Sequence, residues 1–161
     1  MPDAFAMLKD DHRTVEQLFS QFQQSQDPAV ALQICDELTV HAMLEEELVY
    51  PILATKVATG LASEARHEHQ EAKQLVSQIE AGLNSGSDVS GLVQQLQESV
   101  AHHVEEEERE LFPKMQEAVP GLVDYLGADL ATRKTELQAQ VAEARDLGQS
   151  SAVVANKPVV S

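Results

Sequence analysis

Apolar residues recur at alternating spacings of three and four along most of this chain, the period of one buried face of an α-helix. Phe5, Leu8, Val15, Phe19 and Phe22 predict a first helix over residues 3–24, and His12 falls on the same seam. Asp27-Pro28, a capping residue followed by a proline suited to the first helical turn, opens a second helix. Its seam reads Ile34, Leu38, His41, Glu45, Leu48 and Ile52. Pro51 has no N–H and crowds the turn before it, so a kink or an end is expected there, with Gly60 in the following turn. A third helix over residues 63–83 has the seam Ala65, His69, Ala72, Val76, Ile79 and Leu83. Asn84-Ser-Gly-Ser-Asp88 reads as a loop, with Asp88 or Ser90 capping a fourth helix. On that helix Leu92, Leu96, Val100, His103, Glu107 and Leu111 share one arc of ~100°. Pro120-Gly121 breaks the chain, and a more polar fifth helix over residues 122–147 carries Leu122, Leu126, Leu130, Leu137 and Val141 on one side. It is expected to pack across the others, and residues 148–161, which lack periodicity, to form a disordered tail.

The polar residues on these seams come in copied sets. His41-x-x-x-Glu45 is followed by Tyr50-Pro51, and His103-x-x-x-Glu107 by Phe112-Pro113 at the same offsets. Residues four apart on a helix sit ~6 Å apart along the axis and ~40° apart around it, so imidazole and carboxylate can approach one ion. His12 and His69 likewise share Gln17/Gln74, Leu18/Leu75, Ser20/Ser77 and Gln21/Gln78 at equal distances. The chain is one unit used twice, a lone-histidine helix followed by a His-x-x-x-Glu helix. His102 with Glu106 has the four-residue spacing too, but falls outside the fourth arc, and His67 lies off the third seam. Both read as solvated or outer-sphere histidines.

Composition narrows the class. The 161 residues suit one compact helical domain, and the absence of Trp favours aliphatic helix packing. Acids outnumber bases 27 to 11, a formal charge of -16, with no basic cluster to meet phosphates or an anionic membrane. Neither nucleic acid nor membrane is expected as a partner. Cys35 is the single cysteine, read as a small core residue, and no apolar run suggests a leader or a span. A soluble cytoplasmic protein is expected.

Six ionisable side chains on apolar seams would each cost on the order of several kcal/mol unless paired or coordinated. Imidazoles mixed with carboxylates and no thiolate suit iron, manganese or zinc. Four histidines and two glutamates exceed one tetrahedral ion. Two ions bridged by both carboxylates, each also taking two histidines, would use every residue and leave open positions for a small ligand.

This order of His12, His41-x-x-x-Glu45, His69 and His103-x-x-x-Glu107, with aromatic-Pro following each motif, resembles the hemerythrin-like, or HHE cation-binding, domains over about residues 5–116. The resemblance implies an all-α, up-down-up-down four-helix bundle over residues 1–118, with an accessory C-terminal helix over 119–147 and the tail over 148–161. It also implies a non-haem di-iron centre with an oxo or hydroxo bridge, ligated by His12, His41, Glu45, His69, His103 and Glu107. Oxygen-carrying hemerythrins are similar but use a fifth histidine, where this chain has Ala65. Tyr125, Tyr50 and His67 are conceivable substitutes, Tyr125 being favoured.

Three functions fit such a centre. An open redox-active site would decompose hydrogen peroxide or reduce nitric oxide, with an electron donor the sequence does not reveal, and this reading is preferred. Glu46, Glu106 and Glu108 could relay protons for it but read first as a solvated helix face. The alternatives are binding or sensing of oxygen, nitric oxide or iron without turnover, and a purely structural metal site.

Overall fold

Residues 3–155 are described by the computed structural model, and they are all-helical apart from short connections. Helix α1 (Ala4–Ser25) is capped by Asp3, whose carboxylate accepts from the backbone N–H groups of Phe5 and Ala6. Gln26, in the left-handed region at φ 53°, ends it. Helix α2 (Pro28–Leu44) begins as expected on the Asp27 cap and its following proline.

Pro51 does not end the helical run. A π-helical turn, Glu45–Val49, leads directly into α3 (Tyr50–Lys56), with Pro51 in the first turn of α3. Helix α4 (Thr59–Asn84) starts earlier than the seam suggested and takes Gly60 into its first turn. Helix α5 (Ser90–Glu106) follows, with Asp88 accepting from Ser90 N–H at 2.9 Å. The arrangement then repeats: a π turn, Glu107–Leu111, and α6 (Phe112–Ala118) carrying Pro113 in its first turn. Gly121 adopts φ +80° at the break before α7 (Leu122–Asp146).

Packing pairs α1 with α2, α2 with α4, α4 with α5 and α5 with α1, closing a ring of four long helices. Helix α7 lies against α1 and α2. The buried apolar residues form two clusters. One gathers Phe5, Leu8, Leu53, Phe112 and Met115 with Leu122, Leu126, Leu130, Leu137 and Val141 of α7. The other gathers Val15, Phe19, Phe22, Ile34, Ile79 and Leu96, and includes the fully buried Cys35, whose thiol burial pushes up to about 12. Between them the seams turn polar, at His12 on α1 and its counterparts on the other helices.

The segment after Gly148 departs from the disordered tail expected of it. Residues 151–155 are docked, with α8 (Ala152–Ala155) packed on α7 and α2. Glu80, buried on α4, accepts from Ser150 Oγ at 3.0 Å and from Ser151 N–H at 3.1 Å, and is paired with Arg145 of α7, which also reaches Asp36. Thr39 Oγ1 donates to Ser151 Oγ at 3.1 Å. A sequence period cannot reveal such docking, because the partner of Ser151 lies seventy-one positions away. The part of the expected tail over residues 156–161 lies outside the described residues. No helix among the described residues is long and apolar enough to cross a membrane.

Arg145→Ala would leave the Glu80 carboxylate buried without its cation. Loss of that charge-assisted bonding is expected to lower unfolding stability by roughly 2–3 kcal/mol, read from urea denaturation.

Candidate metal centre

All six seam residues converge in the polar belt between the two apolar clusters. His12, His41, His69 and His103 are buried, and Glu45 and Glu107 are fully so. The donor atoms of His12, His41, Glu45 and Glu107 lie within 4.8 Å of one another, as do those of Glu45, His69, His103 and Glu107. The two quartets share both glutamates. Glu107 spans them, with Oε1 at 3.2 Å from His12 Nε2 and Oε2 at 3.3 Å from His103 Nε2. Glu45 Oε1 lies 3.1 Å from His41 Nε2 and 3.2 Å from His69 Nε2.

Each imidazole is aimed by a carboxylate at its far nitrogen. Nδ1 of His12 donates to Glu108 at 2.8 Å, of His41 to Asp11 at 3.1 Å, of His69 to Glu46 at 3.2 Å and of His103 to Glu68 at 2.8 Å. These bonds turn every Nε2 inward, where its lone pair is free to meet a cation. The acceptors obey the internal repeat: Asp11 and Glu68 each precede a lone histidine, and Glu46 and Glu108 each follow a motif glutamate. Glu46 and Glu108 are thus not the solvated face the sequence suggested. Asp11 and Glu68 escaped the sequence reading, although their duplicated placement was visible in it. Three of the acceptors are themselves tied to cations, Glu108 to Arg13, Asp11 to Lys134 of α7, and Glu46 to Lys73.

Tyr50 is the largest surprise. Five residues of regular α-helix carry a side chain ~140° around the axis, which would turn Tyr50 away from Glu45. The π turn instead closes from Tyr50 N–H to the Glu45 carbonyl, five residues back, and brings both onto one face. The expected seam residues Leu48 and Ile52 are consequently only half-buried, and Val49, Tyr50 and Leu53 take the interior. A π bond from residue 51 to the Glu46 carbonyl would need the N–H that Pro51 lacks; Arg66 donates to that carbonyl at 3.4 Å and lies over the Tyr50 ring. Tyr50 Oη stands 2.8 Å from Glu107 Oε2, 2.9 Å from His69 Nε2 and 3.0 Å from His103 Nε2. Its repeat counterpart is Phe112, whose ring stacks on His12 at 6.2 Å and offers no donor atom. The quartet of His69 and His103 therefore has a fifth donor, the Tyr50 hydroxyl, and the quartet of His12 and His41 does not.

Tyr125, favoured as a substitute ligand, is 67% exposed on α7 and far from this role. His67 is exposed on α4, and His102 is exposed beside Glu106 and Glu68. Of the three substitutes considered for the ligand absent at Ala65, Tyr50 alone reaches the centre.

The electrostatics call for cations. His12 Nε2 faces His41 Nε2 at 3.2 Å, and His69 Nε2 faces His103 Nε2 at 3.1 Å, lone pair toward lone pair in the neutral rings. Glu45 Oε2 and Glu107 Oε1 are buried with no hydrogen-bond partner. Without metal, protons fill this need: burial disfavours charge on His41, yet the Glu45 and Asp11 carboxylates raise it to about 10, and Glu107 with Glu45 holds His103 well up despite the same penalty. Burial also works against Glu45, but the His41 charge keeps it well below the usual carboxylate range. For Tyr50, burial and then the Glu45 and Glu107 charges push the phenol well above its usual range. Imidazole and carboxylate donors, two unpartnered carboxylate oxygens and two shared four-donor pockets fit metal cations.

Comparison with known proteins is consistent with this geometry. The Hemerythrin profile, described as the hemerythrin HHE cation binding domain, matches residues 3–115. A protein of Nostoc sp. named DNA nickase is 37% identical over 110 residues, which covers 66% of this chain and 31% of that protein. The chain thus spans about a third of that relative's length. No solved structure matches.

In the metal-free chain the contribution of His41 to stability is complete below its ordinary value of 6.5 and is lost as pH rises through about 10. An incoming metal must displace that proton, so binding is expected to release protons at neutral pH and to tighten as pH rises across this window. Calorimetric titration with zinc in buffers of different ionisation heats measures the release; identical heats in all buffers would contradict it.

Proposed function

Because this chain belongs to the hemerythrin family of HHE cation-binding domains, we propose that it holds two iron ions, joined by an oxo or hydroxo bridge, and decomposes hydrogen peroxide or reduces nitric oxide. In this reading His12 and His41 would hold one ion and His69 and His103 the other, with Glu45 and Glu107 available to both. The four long helices follow one another in up-down-up-down order. The observation that carries the proposal is the pair of buried quartets sharing both glutamates, with the Tyr50 hydroxyl at one quartet only. Such asymmetry gives two ions unequal donor sets, hence unequal tendencies to change oxidation state or to bind a ligand.

When bound, iron would supply the redox change and an electron-poor position for peroxide or nitric oxide. The chain supplies the rest. Outer carboxylates on all four Nδ1 atoms keep the imidazoles oriented and electron-rich. Tyr50 replaces the histidine that oxygen-carrying hemerythrins would have at Ala65, as a phenolate donor or as a hydroxyl whose proton stands at the Glu107 carboxylate. The flanking apolar clusters exclude bulk water from the reacting face.

Binding or sensing of oxygen, nitric oxide or iron without turnover is the second reading. It is favoured by the small, mainly apolar cavity beside the histidines, which suits a neutral diatomic. The nickase name belongs to a protein of which this chain covers a minority, and the excess of 27 acids over 11 bases disfavours contact with DNA.

Oxygen evolution from hydrogen peroxide, followed at an electrode with the purified protein, separates the readings. Rapid gas release that falls by tenfold or more in Glu107→Ala is expected. A persistent, reversible colour change without gas would favour the binding reading. Tyr50→Phe is expected to lose the visible absorption of a phenolate on ferric iron while keeping both irons, and an unchanged spectrum would remove Tyr50 from the donor set.

A further inference from the structure

We propose that small uncharged ligands reach the centre through the seam between α2 and α4, by a passage whose outer wall is built by the C-terminal segment around α8. This rests on the centre being a ligand-binding one, as argued above. Beside the four histidines lies a cavity of about 40 Å³, counted as room for the centre of a water-sized sphere, with Val15, Val100 and Val104 among its walls. By the same measure a single water needs ~10–15 Å³, so a diatomic or peroxide fits. Outside it, a cleft of about 390 Å³ on the same measure opens between α2 and α4. The two share a wall made of Leu38, Ala42, His69 and Ala72.

That shared wall is thin. Leu38 and Ala72 occupy interior seam positions by sequence period, yet both are only half-buried, as is Ala42. Two alanines facing a seam leave a gap that larger side chains would close. The outer cleft is bounded by Ser151, Ala152 and Ala155, which lie beyond the matched domain ending at residue 115. This explains an otherwise idle feature: the buried Glu80, bonded to Ser150, Ser151 and Arg145, touches no ligand of the centre but fixes that wall in place. At the mouth Lys73 is neutralised by Glu46 at 2.9 Å, so among the described residues lining the cleft no unpaired charge draws ions inward. An ion would shed its hydration in the apolar inner cavity without replacement, whereas oxygen and nitric oxide have little hydration to lose.

Xenon-pressurised crystals of the protein as purified test the passage independently of reactivity. Xenon is expected in the inner cavity and at the seam beside Ala42 and Ala72, and Ala72→Phe, or Ala72→Leu should the first fold poorly, is expected to exclude it from the seam. Association of nitric oxide with the reduced protein, followed by stopped-flow absorbance, is expected to slow tenfold or more in the same variant with metal content unchanged. Absence of xenon from both places, or an unchanged association rate in a correctly folded variant, overturns the passage. Xenon at the seam in a protein that binds no nitric oxide would support the passage and refute the functional reading alone.

Discussion

Burying four imidazoles and two carboxylates in one layer is the constraint on which this structure depends. Left alone, these groups would each carry a large desolvation penalty, and lone pairs would face lone pairs across about 3 Å. The chain meets the difficulty in two shells. Outer carboxylates fix the rings and set their inward nitrogens, and Arg13, Lys73 and Lys134 balance three of those carboxylates. The inner deficit is left for protons or metal. That division explains why α7 matters to a centre it does not enter: its Lys134 holds Asp11, and Asp11 holds His41.

The paired π turns are the second determinant. Each begins on the glutamate of a His-x-x-x-Glu motif and is followed by an aromatic residue and then proline. A π turn inserts a residue into the helical period, so whatever lies beyond the motif is rotated relative to what lies before it. Here the rotation carries an aromatic ring into the centre in both halves. At this aromatic position the halves differ by one atom, the Tyr50 hydroxyl against the bare edge of Phe112, and a repeated scaffold becomes two unequal pockets.

Much of this was legible in the residues. His12, His41, Glu45, His69, His103 and Glu107 stand out because they are polar at apolar positions and recur at equal offsets, and the structure brings all six together. Helix ends marked by Asp27-Pro28 and Gly121 fall where capping chemistry puts them. What was not legible depends on shifts of period or on distant partners. A constant 3.6-residue period puts Leu48 and Ile52 inside and favours Tyr125 over Tyr50, because it cannot anticipate a wider turn. Asp11 and Glu68 look like surface acids until the histidines they serve, on other helices, are in view. The docking of Ser151 needs Glu80 and Arg145, which no local pattern connects to it.

Anomalous diffraction from crystals of the purified protein, collected on either side of the iron absorption edge, tests whether the belt holds two irons. Two peaks per chain are expected within it, one inside the His12 and His41 quartet and one inside the His69 and His103 quartet, with both glutamates reaching each. A single peak, or none among these six side chains, would contradict a two-iron belt.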